Sequence, residues 1–370
     1  MRHAPPMRVA FIIPTLDRSG AEKQLTLLAE GLSAHGVEPA VIALDRGGHY
    51  SDRLAAAGVP VRVLGKRGKA DRAAAGRLRA GLRDFGPDVL HSWLFSAHAY
   101  AWAANAADTP WVQALRCVDS WKGGWRRFVD RRLWPSVARF AANGQAVKKH
   151  YADAGIEPDR IDVIRNGIEI PPYRRRDTSL RDRYRIPRDA KVVLAVGRLA
   201  KQKRIKDLLW AFQLLRQADP RTVFVVVGDG PQRADLKEYA RAVECASKVR
   251  FVGHQSARPW LAEADVFWLG SDFEGQSNAL MEAMATGLPC VASNIDPNRE
   301  LIRHGEHGYL PDVGDAMAFA QYTVRLLADE AESDRIGRTA AARMRDDFSV
   351  EAMVAAYAGL YRRVAAAGRA

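Results

Sequence analysis

The sequence has few cysteines and no long apolar run, and each absence argues against a class of protein. Its three cysteines, Cys117, Cys245 and Cys290, are widely spaced and form no Cys-x-x-Cys pair, which speaks against a disulfide framework or a zinc site. No stretch approaches the ~18–20 apolar residues that a membrane-spanning helix needs. The first residues contain a short apolar stretch, Val9–Ile13, without a small-residue cleavage site, so we expect no signal peptide. These features predict a protein of the reducing cytoplasm.

Acidic residues are in deficit, and the resulting net charge of +13 is uneven. Residues 1–180 carry 28 Lys and Arg against 18 Asp and Glu, a balance of +10, which leaves +3 for residues 181–370. A basic first half suits nucleic acid, an anionic membrane surface or a phosphorylated substrate, and a solubilising arginine-rich surface explains most of it equally well. No recognised nucleic-acid motif is present and the cations do not cluster as along a phosphate-tracking groove. We therefore expect no nucleic-acid partner and keep nucleic-acid binding as the less favoured alternative.

Short apolar runs alternate with helical patterns along the chain, which predicts parallel, doubly wound sheets. With 370 residues the chain is long enough for two α/β domains that face each other across a cleft. We predict a first domain at 1–170, a charged and proline-bearing linker at 171–190, a second domain at 191–345, and a carboxyl-terminal helix at 346–370 that packs back on the first domain. The predicted strands are Arg8–Ile13, Ala40–Leu44, Val61–Leu64, Asp88–His91, Trp111–Leu115, Arg139–Ala142, Asp162–Ile164, Lys191–Val196, Thr222–Val227, Lys248–Val252, Asp265–Leu269 and Leu288–Ala292.

A helix start is predicted directly after the strand Asp265–Leu269. Gly275 interrupts regular secondary structure, and Ser277 or Asn278 can cap a helix that ends at Gly287. A helix N-terminus at the carboxyl end of a parallel strand is where open α/β sheets bind ligands, and its N–H groups suit an anion such as a diphosphate. The N–H groups in question belong to Gln276, Ser277 and Asn278.

Two carboxylates, Glu274 and Glu282, flank this predicted anion site. Carboxylates beside a phosphate are electrostatically unfavourable unless they bind hydroxyl groups, and sugar or ribose hydroxyls are the obvious partners. Two cations, Arg198 and Lys203, follow the strand Lys191–Val196 and suit a diphosphate leaving group. The alternative for these cations is that they are solvated surface charges. Together the residues outline a sugar-nucleotide site.

The stretch from Phe273 to Pro289 resembles the E-x7-E signature of the retaining glycosyltransferases of family 4, whose two Rossmann-like domains form the GT-B fold. The spacing of Glu274 and Glu282 supplies the two glutamates. The run that begins at Val196 resembles the family pattern V-G-R-L-x-x-x-K-G through Lys203 and departs from it at Arg204, where glycine is usual. The other resemblances are turns at Ser19–Glu22 (G-G-A-E, with Ser19 for the first glycine), Gly228–Pro231 (G-x-G-P), Phe251–His254 and Val163–Ile168.

The resemblance implies transfer of a sugar from a nucleotide-diphosphate donor with retention of the anomeric configuration, without a metal ion or cofactor. Arg198 and Lys203 would hold the diphosphate, Glu274 would orient the donor sugar, and Glu282 would bind ribose hydroxyls. No Asp-x-Asp stands where a metal site would be expected. The implied donor-binding residues are Gly20, Gly197, Gly230, Gly253, Gly275, Gln276, Ser277, Asn278 and Glu282.

The acceptor side is less defined. His91, at a predicted strand end, either faces the cleft or is a satisfied core histidine. Arg116 occupies the place where many family members carry a histidine near the reacting centre, so we expect it to support phosphate or acceptor; Asp119 is assigned to the same side. We expect a role in cell-surface polysaccharide, lipopolysaccharide or glycolipid synthesis, with a sugar or lipid-linked sugar as acceptor. The alternative enzyme is a nucleotide-sugar epimerase on the same fold.

The segment Trp121–Trp134 interleaves aromatic and basic residues. Trp125 and Phe128 share a helical face with Val129 and Leu133, and the arginines lie largely opposite. Such a helix suits an anionic membrane interface, which would make the protein peripheral on the inner face of the plasma membrane. The alternative is an ordinary amphipathic helix with its apolar face on the sheet, and the shortness of the segment favours this second interpretation.

Overall fold

The computed structural model describes residues 5–68, 70–105, 108–119, 123–170 and 178–368. The chain divides into two compact units, the first formed by Met1–Gly167 with Val350–Ala370 and the second by Ile168–Ser349. Each unit contains a parallel sheet with a hydrophobic core on either face. The prediction of two α/β, doubly wound domains is confirmed.

The sheet of the first unit has seven strands in the order β3-β2-β1-β4-β5-β6-β7. The direction of strand progression reverses between β1 and β4. Its strands are β1 (Met7–Thr15), β2 (Val37–Arg46), β3 (Val61–Val63), β4 (Val89–Trp93), β5 (Trp111–Leu115), β6 (Arg139–Ala142) and β7 (Ile161–Val163). The helices between them are α1 (Gly20–Leu32), α2 (Ser51–Ala56), α3 (Arg72–Phe85), α4 (Phe95–Ala104), α5 (Gly124–Leu133) and α6 (Gln145–Asp153).

The sheet of the second unit has five strands in the order β10-β9-β8-β11-β12, with the reversal between β8 and β11. Its strands are β8 (Lys191–Val196), β9 (Thr222–Val227), β10 (Val249–Gly253), β11 (Val266–Leu269) and β12 (Cys290–Ala292). Its helices are α7 (Thr178–Arg183), α8 (Ile205–Ala218), α9 (Arg233–Ala242), α10 (Arg258–Glu263), α11 (Asn278–Ala285), α12 (Asp296–Arg299), α13 (Ala316–Ala328) and α14 (Glu330–Asp347).

The strands are continuous apolar runs because both faces of each sheet are covered. Successive residues point to opposite faces, so Phe11 joins the core on one side of the first sheet and Ile12 the core on the other. In the second unit Val192 and Val193 divide in the same way. This double burial gives the runs the strong signal that made them predictable.

The linker predicted at 171–190 is wrong from residue 178 onward; residues 171–177 lie outside the described ranges. Thr178–Arg183 is helix α7 of the second unit. The Arg181 guanidinium is buried, with Nε 2.7 Å from Glu263 Oε2 and Nη1 3.0 Å from the carbonyl oxygen of Pro187. Arg181, one of the charges that suggested an exposed linker, is therefore paired in the interior, whereas Asp182, Arg183 and Arg188 are exposed.

The last helix, α15 (Val350–Ala367), is part of the first unit. Val354 lies against Gly31 of α1 so closely that a Cβ at position 31 would come within 2.7 Å of Val354 Cγ2. Tyr357 and Tyr361 of α15 are fully buried in the core that also contains Phe11 and Trp93. Throughout the described part of the chain, no helix combines the length and apolarity needed to cross a membrane.

Candidate active site

The loops that follow β8, β9, β10 and β11 leave the second sheet at one edge, because parallel strands end on the same side. The strand order reverses between β8 and β11, and at such a reversal open α/β sheets bind ligands in the crevice outside the carboxyl ends of the strands. Two of these loops, residues 197–204 after β8 and residues 270–277 after β11, are the stretches that carry the predicted catalytic residues of this unit.

Backbone and side-chain hydrogen bonds join these two loops. Gln202 Nε2 donates to the carbonyl oxygen of Phe273 at 2.6 Å, and the Asp272 N–H donates to the carbonyl oxygen of Gln202 at 2.9 Å. Arg204 Nη1 donates to Asp272 Oδ1 at 2.8 Å. The loops are therefore fixed to each other on both sides of Lys203.

Lys203 and Glu274 are brought together by this arrangement. The Lys203 ammonium contacts Glu274 Oε1, and Ser271 Oγ donates to the same oxygen at 2.7 Å. The side chains are 16% and 10% exposed, so the pair is largely shielded from water. A Cβ at Gly197 would come within 3.2 Å of Lys203 Cε, so the absence of a side chain there leaves room for the lysine. Lys203 and Glu274 were predicted from the sequence motifs, whereas Ser271 and Gln202 were not, because Ser271 binds Glu274 and Gln202 joins two loops that are distant in the sequence.

The predicted glycine turns pack against each other. Gly228 has a φ of +139°, and a Cβ there would lie 1.9 Å from the carbonyl oxygen of Gly197. A Cβ at Gly230 would lie 2.5 Å from the carbonyl oxygen of Leu199. The Gly228 N–H donates at 2.8 Å to the carbonyl oxygen of Gly253, whose φ is +81°. These glycines let three strand ends approach closely; direct contact of Gly197, Gly230 or Gly253 with a donor stays a prediction.

Helix α11 begins beside these loops, with Ser277 as its N-cap residue. The predicted side-chain cap is wrong: Ser277 makes no capping hydrogen bond, and Asn278 is already the first helical residue. Gly275, Gln276 and Ser277 are buried, the latter two at 6% and 5% exposure. Partly buried Glu282 lies one turn along the helix. This helix start retains the dipole that attracts an anion, without compensation by a capping side chain.

The remaining predicted donor residues differ in exposure. Arg198 is exposed at the end of β8, and its carbonyl oxygen accepts from the Ala200 N–H at 2.8 Å. Gly20 is the exposed first residue of α1 in the first unit, preceded by Ser19, whose hydroxyl contacts the Glu22 carboxylate. Burial raises the pKa of Glu22, opposed by that hydroxyl. Among the residues the structure describes, no three or more His, Cys, Asp or Glu side chains gather as a metal site.

Arg204 keeps the backbone conformation that glycine favours. Its φ is +47°, in the left-handed region. Its guanidinium binds Asp207 and Asp272, and a Cβ at Gly314 would come within 2.8 Å of Arg204 Nη2, so a small residue at 314 leaves room for the guanidinium. Arg204 therefore adopts a left-handed conformation that glycine also allows, and its guanidinium adds a link between the two loops.

We expect Arg204→Ala to be less stable than Arg204→Gly by about 1 kcal/mol, because alanine keeps the left-handed strain and glycine relieves it. Both variants lose the same partly exposed ion pairs, each worth about 0–1 kcal/mol. Urea unfolding of the two variants measures the difference. Equal stability of the two variants would show that the conformation at 204 relaxes when the arginine is lost.

In the first unit, Arg116 lies directly after β5. Its Nη2 donates to Asn166 Oδ1, and its Cζ lies 4.6 Å from the centre of the Trp93 ring. Asp119 accepts a hydrogen bond from the Tyr151 hydroxyl at 2.6 Å. Burial, followed by the charge of Asp119 and this hydrogen bond, raises the pKa of Tyr151 well above its ordinary value. Contact of Arg116 or Asp119 with an acceptor stays a prediction.

His91 is a core residue, so its assignment to the acceptor side is corrected. The side chain is fully buried, its Nδ1 lies 2.7 Å from the Tyr361 hydroxyl, and Trp93 Nε1 donates to the same nitrogen at 3.2 Å. Burial, followed by the charge of Arg116, holds the pKa of His91 well below its ordinary value. The imidazole is therefore neutral and enclosed by aromatic rings.

Helix α5 does not place its aromatic face on the sheet. Trp125 and Phe128 are 73% and 63% exposed, and their rings stack with centres 5.9 Å apart. The buried residues of the helix are Asp130 and Leu133. The favoured interpretation of an inward aromatic face is therefore wrong for this pair. The start of the segment at Trp121 and Lys122 lies outside the described ranges.

Two family models match the chain. "Glycosyl transferases group 1" matches residues 177–343, and "Glycosyltransferase Family 4" matches residues 18–170. Curated relatives include N-acetyl-alpha-D-glucosaminyl L-malate synthase of Bacillus anthracis, 30% identical over 56% of this chain and 55% of that protein. The lipopolysaccharide core biosynthesis glycosyltransferase LpsE of Rhizobium meliloti (strain 1021) is 33% identical over 46% of this chain and 49% of that protein. The chain thus matches about half the length of these relatives.

Solved structures share the fold. HepE of Anabaena, solved with UDP and glucose, matches with a TM-score of 0.86 and 21% identity over 96% of this chain and 99% of that one. Sucrose-phosphate synthase of Thermosynechococcus elongatus matches with a TM-score of 0.81 and 19% identity over 98% and 100%. These likenesses confirm the predicted fold of two Rossmann-like domains, the GT-B fold.

Proposed function

The chain belongs to the family 4 glycosyltransferases, and we propose that it transfers a sugar from a nucleotide-diphosphate donor to an acceptor hydroxyl with retention of configuration and without a metal ion. The observation that carries the proposal is the shielded contact of Lys203 with Glu274, on loops that flank the crevice between β8 and β11. The arrangement supplies a cation, a carboxylate and a helix N-terminus at one edge of one sheet.

The proposed roles follow from charge. As the glycosidic bond breaks, negative charge grows on the β-phosphate, and the ammonium of Lys203, the exposed guanidinium of Arg198 and the start of α11 stabilise it. These cations would do the work that a metal does in other transferases. Glu274, held by Ser271 at 2.7 Å, keeps one carboxylate oxygen for donor hydroxyls, and Glu282 binds ribose.

The relatives indicate which donors and settings to test. HepE was solved with UDP-glucose, and the names of relatives include a lipopolysaccharide core transferase, an amylovoran biosynthesis transferase and a galactosyltransferase that acts on a diphosphoundecaprenol-linked sugar. We therefore propose a UDP-sugar as donor and a sugar, free or lipid-linked, of a cell-surface polysaccharide or glycolipid as acceptor. A cytoplasmic location accords with such donors.

The test is product analysis with UDP-glucose, UDP-galactose, UDP-N-acetylglucosamine and GDP-mannose, each with simple alkyl glycosides as acceptors. We expect stoichiometric release of the nucleotide diphosphate, an α-linked product by NMR, and unchanged rates after addition of a chelator. Interconversion of the donor sugars without release of nucleotide diphosphate would favour the epimerase instead. An inverted anomeric centre or loss of activity with the chelator would overturn the retaining or metal-independent part separately.

We also propose that α5 contacts an anionic membrane surface. The exposed stacked pair Trp125 and Phe128 offers apolar area, and Arg126, Arg127 and Arg131 on the same short helix offer positive charge. Interfacial aromatic residues with adjacent cations are typical of helices that lie at a lipid surface. The positive net charge of the first half of the chain is consistent with contact between α5 and an anionic surface.

For this contact we expect Trp125→Ala with Phe128→Ala to weaken binding to vesicles containing anionic phosphatidylglycerol by more than about tenfold, since burying one large apolar side chain is worth about 1.5–3 kcal/mol. Co-sedimentation with vesicles measures it, and Trp210→Ala, which removes a 45% exposed tryptophan of the second unit, is the matched control. Equal binding by the double variant and the control would reject the role of α5.

A further inference from the structure

Arg116 is a shielded cation without a carboxylate partner among the residues that the structure describes. Its Nη2 donates to the neutral amide oxygen of Asn166, and its Nε is buried without a hydrogen-bond partner. Burial lowers the pKa of Arg116, and the group that opposes this shift is the Tyr357 hydroxyl. A guanidinium nevertheless stays charged in proteins. The neighbouring His91 is neutral, so Arg116 and His91 together carry a net positive charge.

Two other arginines of the same unit, Arg139 and Arg53, have a carboxylate close by. Arg139 lies 2.9 Å from Asp162, and Arg53 lies 2.6 Å from Glu30. Arg8 is the nearest match to Arg116, because its Nε is also buried without a hydrogen bond and its Cζ lies 4.3 Å from the centre of the Phe85 ring. Arg8 has Glu38 at 3.6 Å, however.

An unpaired charge in a shielded position costs free energy that a counterion recovers. Arg116 directly follows β5, at the carboxyl edge of a parallel sheet, which is where a ligand is expected. An anionic ligand bound there would offset the free-energy cost of the unpaired charge. The guanidinium is also held in one orientation, over Trp93 and against Asn166. A fixed planar fork of this kind suits two oxygens of one anionic group.

We propose that Arg116 binds a phosphate or carboxylate group carried by the acceptor substrate. This inference rests on the proposed function. The nucleotide diphosphate is assigned to the second unit, so the anionic group at Arg116 of the first unit is a further one. The enzyme then selects an acidic acceptor over its neutral analogue.

The first experiment measures anion binding to the full chain with the donor site already filled. UDP affinity is determined first by calorimetry and reports on the proposed function alone. Inorganic phosphate is then titrated into the UDP-saturated protein against sodium chloride of equal ionic strength. We expect phosphate to bind the unaltered protein and to bind Arg116→Met about 10- to 100-fold more weakly, as for loss of a charge-assisted hydrogen bond, with UDP affinity unchanged.

Arg8→Met is the matched control and should bind phosphate as the unaltered protein does. Arg8 is paired with Glu38, and it is the second residue of β1, at the opposite edge of the sheet from Arg116. If Arg116→Met fails to fold, Arg116→Gln, which keeps a donor for Asn166, takes its place. Absence of phosphate binding to the UDP-saturated unaltered protein, or equal phosphate affinity in the neutral variant, would overturn the proposal.

A second arm tests the assignment of the anion to the acceptor. We expect UDP-glucuronate and UDP-glucose to bind the unaltered protein alike, and phosphate still to bind the complex with UDP-glucose. A preference for UDP-glucuronate that Arg116→Met removes would overturn the assignment to the acceptor.

Discussion

Replacing Lys203 with alanine is expected to lower turnover by about 10²- to 10³-fold, the usual cost of removing one preorganised group that stabilises charge in the transition state. The variant should also lose about 1–3 kcal/mol of unfolding free energy, because Glu274 would keep a shielded carboxylate without its cation. The Lys203 and Glu274 side chains are 16% and 10% exposed, too little for water to replace the lost partner fully.

A double-mutant cycle with Glu274→Gln separates the two effects. Lys203→Ala combined with Glu274→Gln should be more stable than Lys203→Ala alone, since the unpaired charge is removed, while activity stays low. Lys201→Ala is the control, because this exposed lysine lies in the same turn and should change stability by less than about 0.5 kcal/mol. Near-normal turnover of Lys203→Ala would show that Lys203 has no catalytic role.

Gly228→Ala is expected to cost more than about 3 kcal/mol of unfolding free energy and to abolish nucleotide binding. A Cβ at 228 would lie 1.9 Å from the carbonyl oxygen of Gly197, and the φ of +139° is one that alanine rarely adopts. Relief of the clash needs a backbone shift, because the atom contacted is not a flexible side chain. Clash and strain contribute about 1–3 kcal/mol each. The loop that carries Lys203 begins at Gly197, so its displacement should reach the site.

Gly36→Ala in the first unit is the matched comparison. Gly36 also has a positive φ, +70°, but a Cβ there meets nothing within 4 Å, so strain alone should cost about 1–2 kcal/mol. Urea unfolding gives both costs, and calorimetry with UDP gives the effect on binding. Similar costs for Gly228→Ala and Gly36→Ala would mean that the close approach to Gly197 is not needed.

The strands could be predicted because local sequence determines their signal. Lys191–Val196 and Thr222–Val227 agree residue for residue with the structure, since each is a short apolar run buried on both faces and bounded by polar or glycine residues. Glu274 and Lys203 were likewise predicted as site residues from spacing within two motifs, and their role in the site stays a prediction. Their mutual contact was not, because it joins residues 71 positions apart.

The wrong predictions depend on partners from elsewhere in the chain. His91 was ambiguous because a strand-end histidine has the same local pattern in a cleft or in a core, and the Tyr361 that binds it lies 270 residues away. The stretch around Arg181 was predicted to be a linker because a buried arginine that pairs with Glu263 leaves no apolar pattern in the sequence. Trp125 and Phe128 predicted an inward face because apolar periodicity does not distinguish packing on a sheet from exposure.

Arg204 shows the opposite relation between sequence and structure. A glycine is usual at this position in the resembled pattern, yet the backbone adopts the left-handed conformation with arginine in place. Bonds from the guanidinium to Asp207 and Asp272 offset the local strain. The contact of the guanidinium with Asp272 joins distant parts of the chain, which is why sequence alone did not predict it.

We expect the carboxyl edge of the second sheet to bind a nucleotide diphosphate, and calorimetric titration of UDP and GDP measures this binding. The proteins are the unaltered chain, Glu282→Ala and Arg198→Ala, with Lys201→Ala as control. One nucleotide should bind, Glu282→Ala and Arg198→Ala should each weaken its binding by about tenfold or more, and Lys201→Ala should leave it unchanged. Absence of binding to a folded protein, or equal affinity in all four proteins, would show that this edge is not a nucleotide site.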